Sequence, residues 1–179
     1  MAPKEKPVTV DPVPVFPQII VALFLLGDNR FHWIIFVQDT TASQANPAPG
    51  MKLHATNVSN KWEFEARGEY SLYQSVAVCV AAVIGELKPE KGFTAEKLKD
   101  LLAPIPMAVP AVDQGKEPVF SCRVWTKEAL RRMHAAHFID CPDVDALEAE
   151  MIELGVAAER SIDEGKFTKA KLLKAKNSK

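Results

Sequence analysis

A cysteine where a helix should begin and two histidines in strand-like runs are the residues here whose types and order could do chemistry. Cys122 follows Ser121, a natural N-cap, at the head of Cys122-Arg123-Val124-Trp125. A thiol in that first turn lies near unpaired backbone N–H groups, which favour the thiolate, and a neighbouring imidazole would favour it further. His32, in Phe31-His32-Trp33-Ile34-Ile35-Phe36-Val37, is the candidate general base. His54, in Lys52-Leu53-His54-Ala55, could orient His32 through its second ring nitrogen or bind substrate; Asn57 and Asp39 are weaker candidates for the orienting role. The bland alternative stays open, because a lone cysteine is commonly a small buried hydrophobe and a histidine between Phe and Trp a core residue.

Other reactive-looking residues carry less. Arg123 and Arg67 could hold a carboxylate or phosphate on a substrate. Trp33 and Trp125, beside His32 and one turn along from Cys122, read as core aromatics and are also candidates to line a substrate site. His134, His137 and Cys141 have ligand types, but three groups at a helix end without a fourth make a poor zinc site. Cys79 sits in an apolar run and reads as packing. No glycine-rich phosphate loop is present, which disfavours nucleotide binding, and no cofactor or metal is expected.

Positioning these groups requires an ordered set of elements. Residues 1–17, with prolines at 3, 7, 12, 14 and 17, are expected to form an extended arm with little regular structure. Two apolar runs, about 18–26 and 31–38, flank Gly27-Asp28-Asn29-Arg30 and predict an antiparallel hairpin. After a 40–50 surface loop come short strands over 51–57 and 61–67. In the latter, Trp62, Phe64 and Ala66 alternate with Glu63, Glu65 and Arg67, the pattern of a half-buried strand. Residues 76–84 lean to strand by their valines. Helices are expected over 94–102, capped by Thr94, over 122–136, and over 143–159, with a short helical stretch at 168–175. The resulting class is α+β: a mainly antiparallel sheet packed against a cysteine-bearing helix, with an extra C-terminal helix. Residues 18–165 are expected to form one domain, followed by a basic tail at 166–179.

Bulk composition narrows the classes. The 179 residues are 47% hydrophobic and 25% charged, as in a single globular domain. The net charge of −1 is unevenly spread: lysines 166, 169, 171, 174, 176 and 179 lie beyond residue 165 with no acid. That stretch lacks tryptophan and tyrosine to stack on bases, and a solvated end is expected instead of a nucleic-acid site. Three widely spaced cysteines argue against a disulfide framework and for a reducing, cytoplasmic setting. The apolar run 19–26 is too short to span a bilayer, so no stable membrane insertion is expected. Oligomeric state is left open.

The sequence also resembles the circularly permuted branch of the papain-like NlpC superfamily, whose best-known member is lecithin retinol acyltransferase. His32-Trp33-Ile34-Ile35-Phe36-Val37-Gln38 is similar to that branch's His-Trp strand, and Leu53-His54-Ala55 to its second histidine strand. Ser121-Cys122-Arg123-Val124-Trp125-Thr126 is similar to its cysteine helix. The resemblance spans about residues 18–135. Ser121 and Arg123-Val124 depart from the branch's Asn and Glu-His, and the 40–50 loop separates the histidines further. It implies a permuted papain-like fold with Cys122 as nucleophile, His32 as base and His54 as orienting residue. The implied activity is thiol-dependent hydrolysis or acyl transfer on a small-molecule, lipid or peptide acyl substrate. The alternative is an interaction or scaffold protein that keeps the fold without the chemistry. The whole chain is also similar to an uncharacterised family of fungal proteins, which implies a eukaryotic source and no activity.

Overall fold

A computed structural model describes residues 7–179; Pro3, Lys4 and Lys6 of the expected arm lie outside the described residues. The class is α+β, with a seven-stranded sheet in the order β1-β7-β6-β2-β3-β4-β5 and three α-helices among the described residues. The strands are β1 (Val10–Asp11), β2 (Gln18–Gly27), β3 (Arg30–Val37), β4 (Gly50–Thr56), β5 (Glu63–Tyr70), β6 (Val78–Glu86) and β7 (Ala170–Lys174). The helices are α1 (Ala95–Leu102), α2 (Cys122–Ala135) and α3 (Val144–Asp163).

The expected hairpin joins β2 and β3 through Asp28 and Asn29, at φ of 55° and 54°. Two consecutive left-handed residues match the right-handed twist of the flanking strands, and Asn and Asp tolerate that region best after glycine. Helix starts fall where the caps are. Thr94 Oγ1 accepts from Lys97 N, Ser121 Oγ from Val124 N, and Asp143 Oδ1 from Ala146 N.

Both chain ends depart from expectation. Residues 170–174 form a strand, not the short helix expected at 168–175, and β7 lies parallel between β1 and β6. Ala170 and Leu172 are buried while Lys171 is exposed, so the period is two. The basic tail is thus partly a sheet strand, and Lys171 and Leu173 mark its outward positions. Within the arm, Val10 and Val13 are buried and Val10 pairs with Ala170. Prolines on either side did not exclude a two-residue edge strand.

The sheet is curled. Thr9 N and Oγ1 both donate to Tyr73 O, just beyond β5, at 2.7 and 3.2 Å, so the β1 edge meets the chain leaving the β5 edge. Residues of one face, including Val10, Ile20, Ala22, Ile34, Phe36, Ala81 and Leu172, form an inner core together with Leu72 from the 3-10 turn after β5. The outer face carries Leu23, Trp33, Ile35, Leu53 and Ile84, packed under Leu98, Trp125, Leu130, Leu147 and Met151 of the helices. Full burial of a side chain the size of Trp125 or Leu147 stabilises by roughly 1.5–3 kcal/mol. These layers fix which residues of β3 and β4 meet α2.

Candidate functional site

β3 and β4 are paired only over Ile35–Val37 against Leu53–Met51. Beyond that point, Arg30–Ile34 and His54–Thr56 diverge, and the polar residues gather at this split. His32 Nε2 lies 2.7 Å from His54 Nδ1, with the rings edge to face, and His54 Nε2 lies 2.6 Å from Glu65 Oε2. Register explains the contacts: His54 is directly opposite Glu65 on β5, and Ile35 opposite Leu53 sets His32 diagonally from His54. Side chains alternate along a strand, so His32 shares the inner face with Ile34 and Phe36, while Phe31 and Trp33 face the helices. Lys52, two residues before His54 on the same face, places Nζ 3.7 Å from Glu65 Oε2 and 5.0 Å from the Tyr70 ring centroid.

Burial keeps the imidazoles neutral. His32 is lowered to about 4, first by desolvation and then by His54 and Lys52, with Glu65 opposing. His54 is lowered by desolvation against the Glu65 hydrogen bond. Burial would raise the Glu65 carboxyl, but the His54 hydrogen bond and the Lys52 charge bring it below its usual range. Desolvation lowers Lys52 as well. The arrangement is therefore a carboxylate bonded to two neutral imidazoles in series.

Cys122 opens α2 as expected. Its Sγ makes a long contact, 3.9 Å, to the Phe31 carbonyl, and no hydrogen bond joins it to His32 among the described residues. Gln38 N donates to Gln18 O on β2, so odd-numbered residues of β3 direct their backbone groups toward β4. The thiol thus sits against the edge of β3 that β4 has left unpaired, on the helix side of the sheet, whereas the His32 ring lies on the inner face. It is 8% exposed. Burial pushes its pKa up, against the N–H groups of Trp33, Arg123 and Cys122 itself. The helix start does favour the anion, and desolvation outweighs it.

The remaining expectations resolve into packing. Trp33 and Trp125 are 2% and 0% exposed, and Trp125 stacks on Phe64 at 5.7 Å. Both belong to the core between sheet and helices, not to a substrate wall. Arg123 is engaged by Glu117 and Glu148, and so is not free to hold a substrate anion. Next to it, Lys127 is buried with Glu148 at 2.8 Å, Asp145 at 3.0 Å, Glu117 at 3.6 Å and Asp113 at 3.7 Å. Arg131 closes on Asp113. These pairs tie the 103–121 connection and α3 to the first turns of α2, and so hold Cys122 in place. His134 Nδ1 accepts from Cys141 N at 3.1 Å and Cys141 Sγ contacts Asp143 O, while His137 ends the helix at φ 64°. Those three residues serve the helix end.

Glu65 was missed as a functional residue, as was Lys52. The available signal was the Glu63-Glu65-Arg67 alternation on the polar side of β5. Only the register, which sets Glu65 opposite His54, singles it out over Asp39 or Asn57.

A curled α+β sheet with a carboxylate–imidazole–imidazole series at one strand split, and a helix-initial cysteine at the same split, defines the class of protein. The chain belongs to a family of unknown function, DUF6540, which it matches over residues 21–140. That range contains Cys122, His32, His54 and Glu65. No curated protein and no solved structure matches it.

Proposed function

We propose that the protein is a small thiol-dependent hydrolase or acyltransferase, of permuted papain-like fold, acting on an ester or amide through a Cys122 thioester. The single observation that carries this reading is the series Glu65–His54–His32, with links of 2.6 and 2.7 Å, ending beside the backbone that holds Cys122 Sγ. A neutral thiol and a neutral imidazole make general-base chemistry the fitting route, in place of a resting thiolate–imidazolium pair. From the helix side of the sheet the thiol proton must cross the unpaired β3 edge to reach His32 as sulfur attacks the acyl carbon, and it returns to the departing alcohol or amine as the acyl–oxygen or acyl–nitrogen bond breaks. Water or another acceptor then resolves the thioester by the reverse proton path. The N–H groups at the start of α2 supply donors for the oxyanion. Acyl transfer through a thioester needs neither a metal nor an organic cofactor, and a cytoplasmic setting suits the free thiols. Among the described residues no helix is long and apolar enough to cross a membrane.

The test uses p-nitrophenyl acetate and p-nitrophenyl palmitate as acyl donors, with intact-protein and peptide mass spectrometry. An acyl mass on Cys122, absent in Cys122→Ser and His32→Ala, is expected. Release of nitrophenol by Cys122→Ser at the wild-type rate would sink the proposal. A second reading is favoured by the burial of Cys122: a non-catalytic interaction or scaffold protein of the same fold. It predicts no acyl adduct with either donor.

A further inference from the structure

The geometry points to Glu65 as a positioning residue that, held by Lys52, locks both histidines in one tautomer and leaves His32 Nδ1 as the bare nitrogen of the series. The reasoning runs from hydrogen-bond polarity. An ionised carboxylate only accepts, so the 2.6 Å contact requires the proton on His54 Nε2. A neutral imidazole carries one N–H, which leaves His54 Nδ1 as an acceptor. The 2.7 Å contact must then be donated by His32 Nε2, and His32 Nδ1 is left with a lone pair. Reversing the series would set a lone pair on His54 Nε2 against a carboxylate, which is repulsive at that distance.

Lys52 makes the carboxylate a dependable end. Its ammonium is 3.7 Å from the same Oε2 that His54 uses, and its side chain is 11% exposed where that of Glu65 is 41% exposed. The Tyr70 ring lies against the Lys52 ammonium at 5.0 Å and near the Arg67 guanidinium at 5.8 Å, so one aromatic face holds Lys52 on the side of the strands that carries Glu65. Lys52 and His54 share a strand face at a spacing of two, and one oxygen of Glu65 can serve both. This part of the inference stands on the two contacts together with the neutrality that burial imposes on both rings. Its catalytic consequence, a proton sink at His32 Nδ1, rests on the acyl-transfer reading.

The test is long-range proton–nitrogen NMR of the imidazole rings at pH 7 in uniformly nitrogen-15-labelled full-length protein. Wild type should show protonated Nε2 and bare Nδ1 on both His32 and His54. Glu65→Leu should lose that single pattern on both rings, whereas Glu65→Gln, whose carbonyl still accepts, should restore it. A residue serving only as packing would leave Leu and Gln variants alike. A proton on His54 Nδ1 in wild type overturns the inference even if Glu65→Leu does not fold, and so does a Glu65→Leu pattern identical to wild type. In the acylation assay Glu65→Leu should slow Cys122 acylation by about 10²-fold, the low end of general-base contributions. Correct tautomers in a protein that never acylates would overturn the acyl-transfer reading and leave the locked series standing.

Discussion

Acidification from pH 7 to pH 5 should weaken the fold through His32, and the size of the effect follows from its burial. In the folded protein this imidazole stands at about 4, against 6.5 in the unfolded chain. Between those values the unfolded chain binds a proton that the folded protein refuses, so stability falls as pH falls through the window. The slope approaches about 1.4 kcal/mol per pH unit, and integration from pH 7 to pH 5 gives a loss of about 2 kcal/mol. The loss levels off near pH 4, at about 3 kcal/mol. His54, also lowered, adds in the same direction. Glu65 is lowered too, and the stability it contributes at neutral pH is lost further down, as the pH falls below the ordinary glutamate range. The assay is urea unfolding followed by tryptophan fluorescence at pH 7, 6 and 5, in wild type and His32→Gln. With a urea dependence of about 2 kcal/mol per molar, the wild-type midpoint should fall by about 1 M more than that of the variant. Parallel pH profiles for the two proteins would refute the reasoning, as would an NMR titration of His32 centred near 6.5.

Further expectations concern the thiols, the charge cluster, the helix contact and the C-terminal strand. At pH 6 iodoacetamide should label all three cysteines slowly, since burial raises each, Cys79 and Cys141 to about 11. Rapid loss of Cys122 at that pH, read by peptide mass spectrometry, would show a resting ion pair and contradict the general-base route. Lys127→Met should destabilise by about 3 kcal/mol, because it leaves buried Glu148 and Glu117 facing one another with only Arg123 between them; an unchanged denaturation midpoint would count against the cluster as the anchor of α2. Gly155→Ala should destabilise by about 1–2 kcal/mol in spite of alanine's helix propensity, since the added carbon would lie 2.8 Å from the Phe31 ring and 3.1 Å from Leu23. A stabilised variant in thermal melts would mean that α3 shifts freely. Removal of residues 169–179 should abolish cooperative unfolding, because it uncovers the edge of β6 and removes the partner of β1. A dispensable solvated tail would leave the melt unaltered.

Local signals in the chain were enough for much of this architecture. Turn chemistry at Asp28-Asn29, caps at Thr94 and Ser121, the apolar run over 31–37 and the alternation over 62–67 each act within a few residues, so each of these elements appears close to where those residues put it. The candidate site was legible to the same depth. His32 and His54 do meet, and Cys122 does open α2. Local pattern could not show that 170–174 would enter the sheet. Its Lys-Leu-Leu-Lys composition suits either period, and only the vacant edge between β1 and β6 selects the strand. Nor could it show that the thiol would lie against the Phe31 carbonyl, with its pKa raised by burial, instead of bonding His32. Choosing Glu65 as the third member depended on strand register between residues eleven apart. Sequence by itself determined the elements from β2 to α3, the candidate nucleophile and the two histidines, because propensity, capping and alternation are short-range. The tertiary structure decided protonation, partners and the face each group occupies, because desolvation and cross-strand pairing arise only when distant segments close around them.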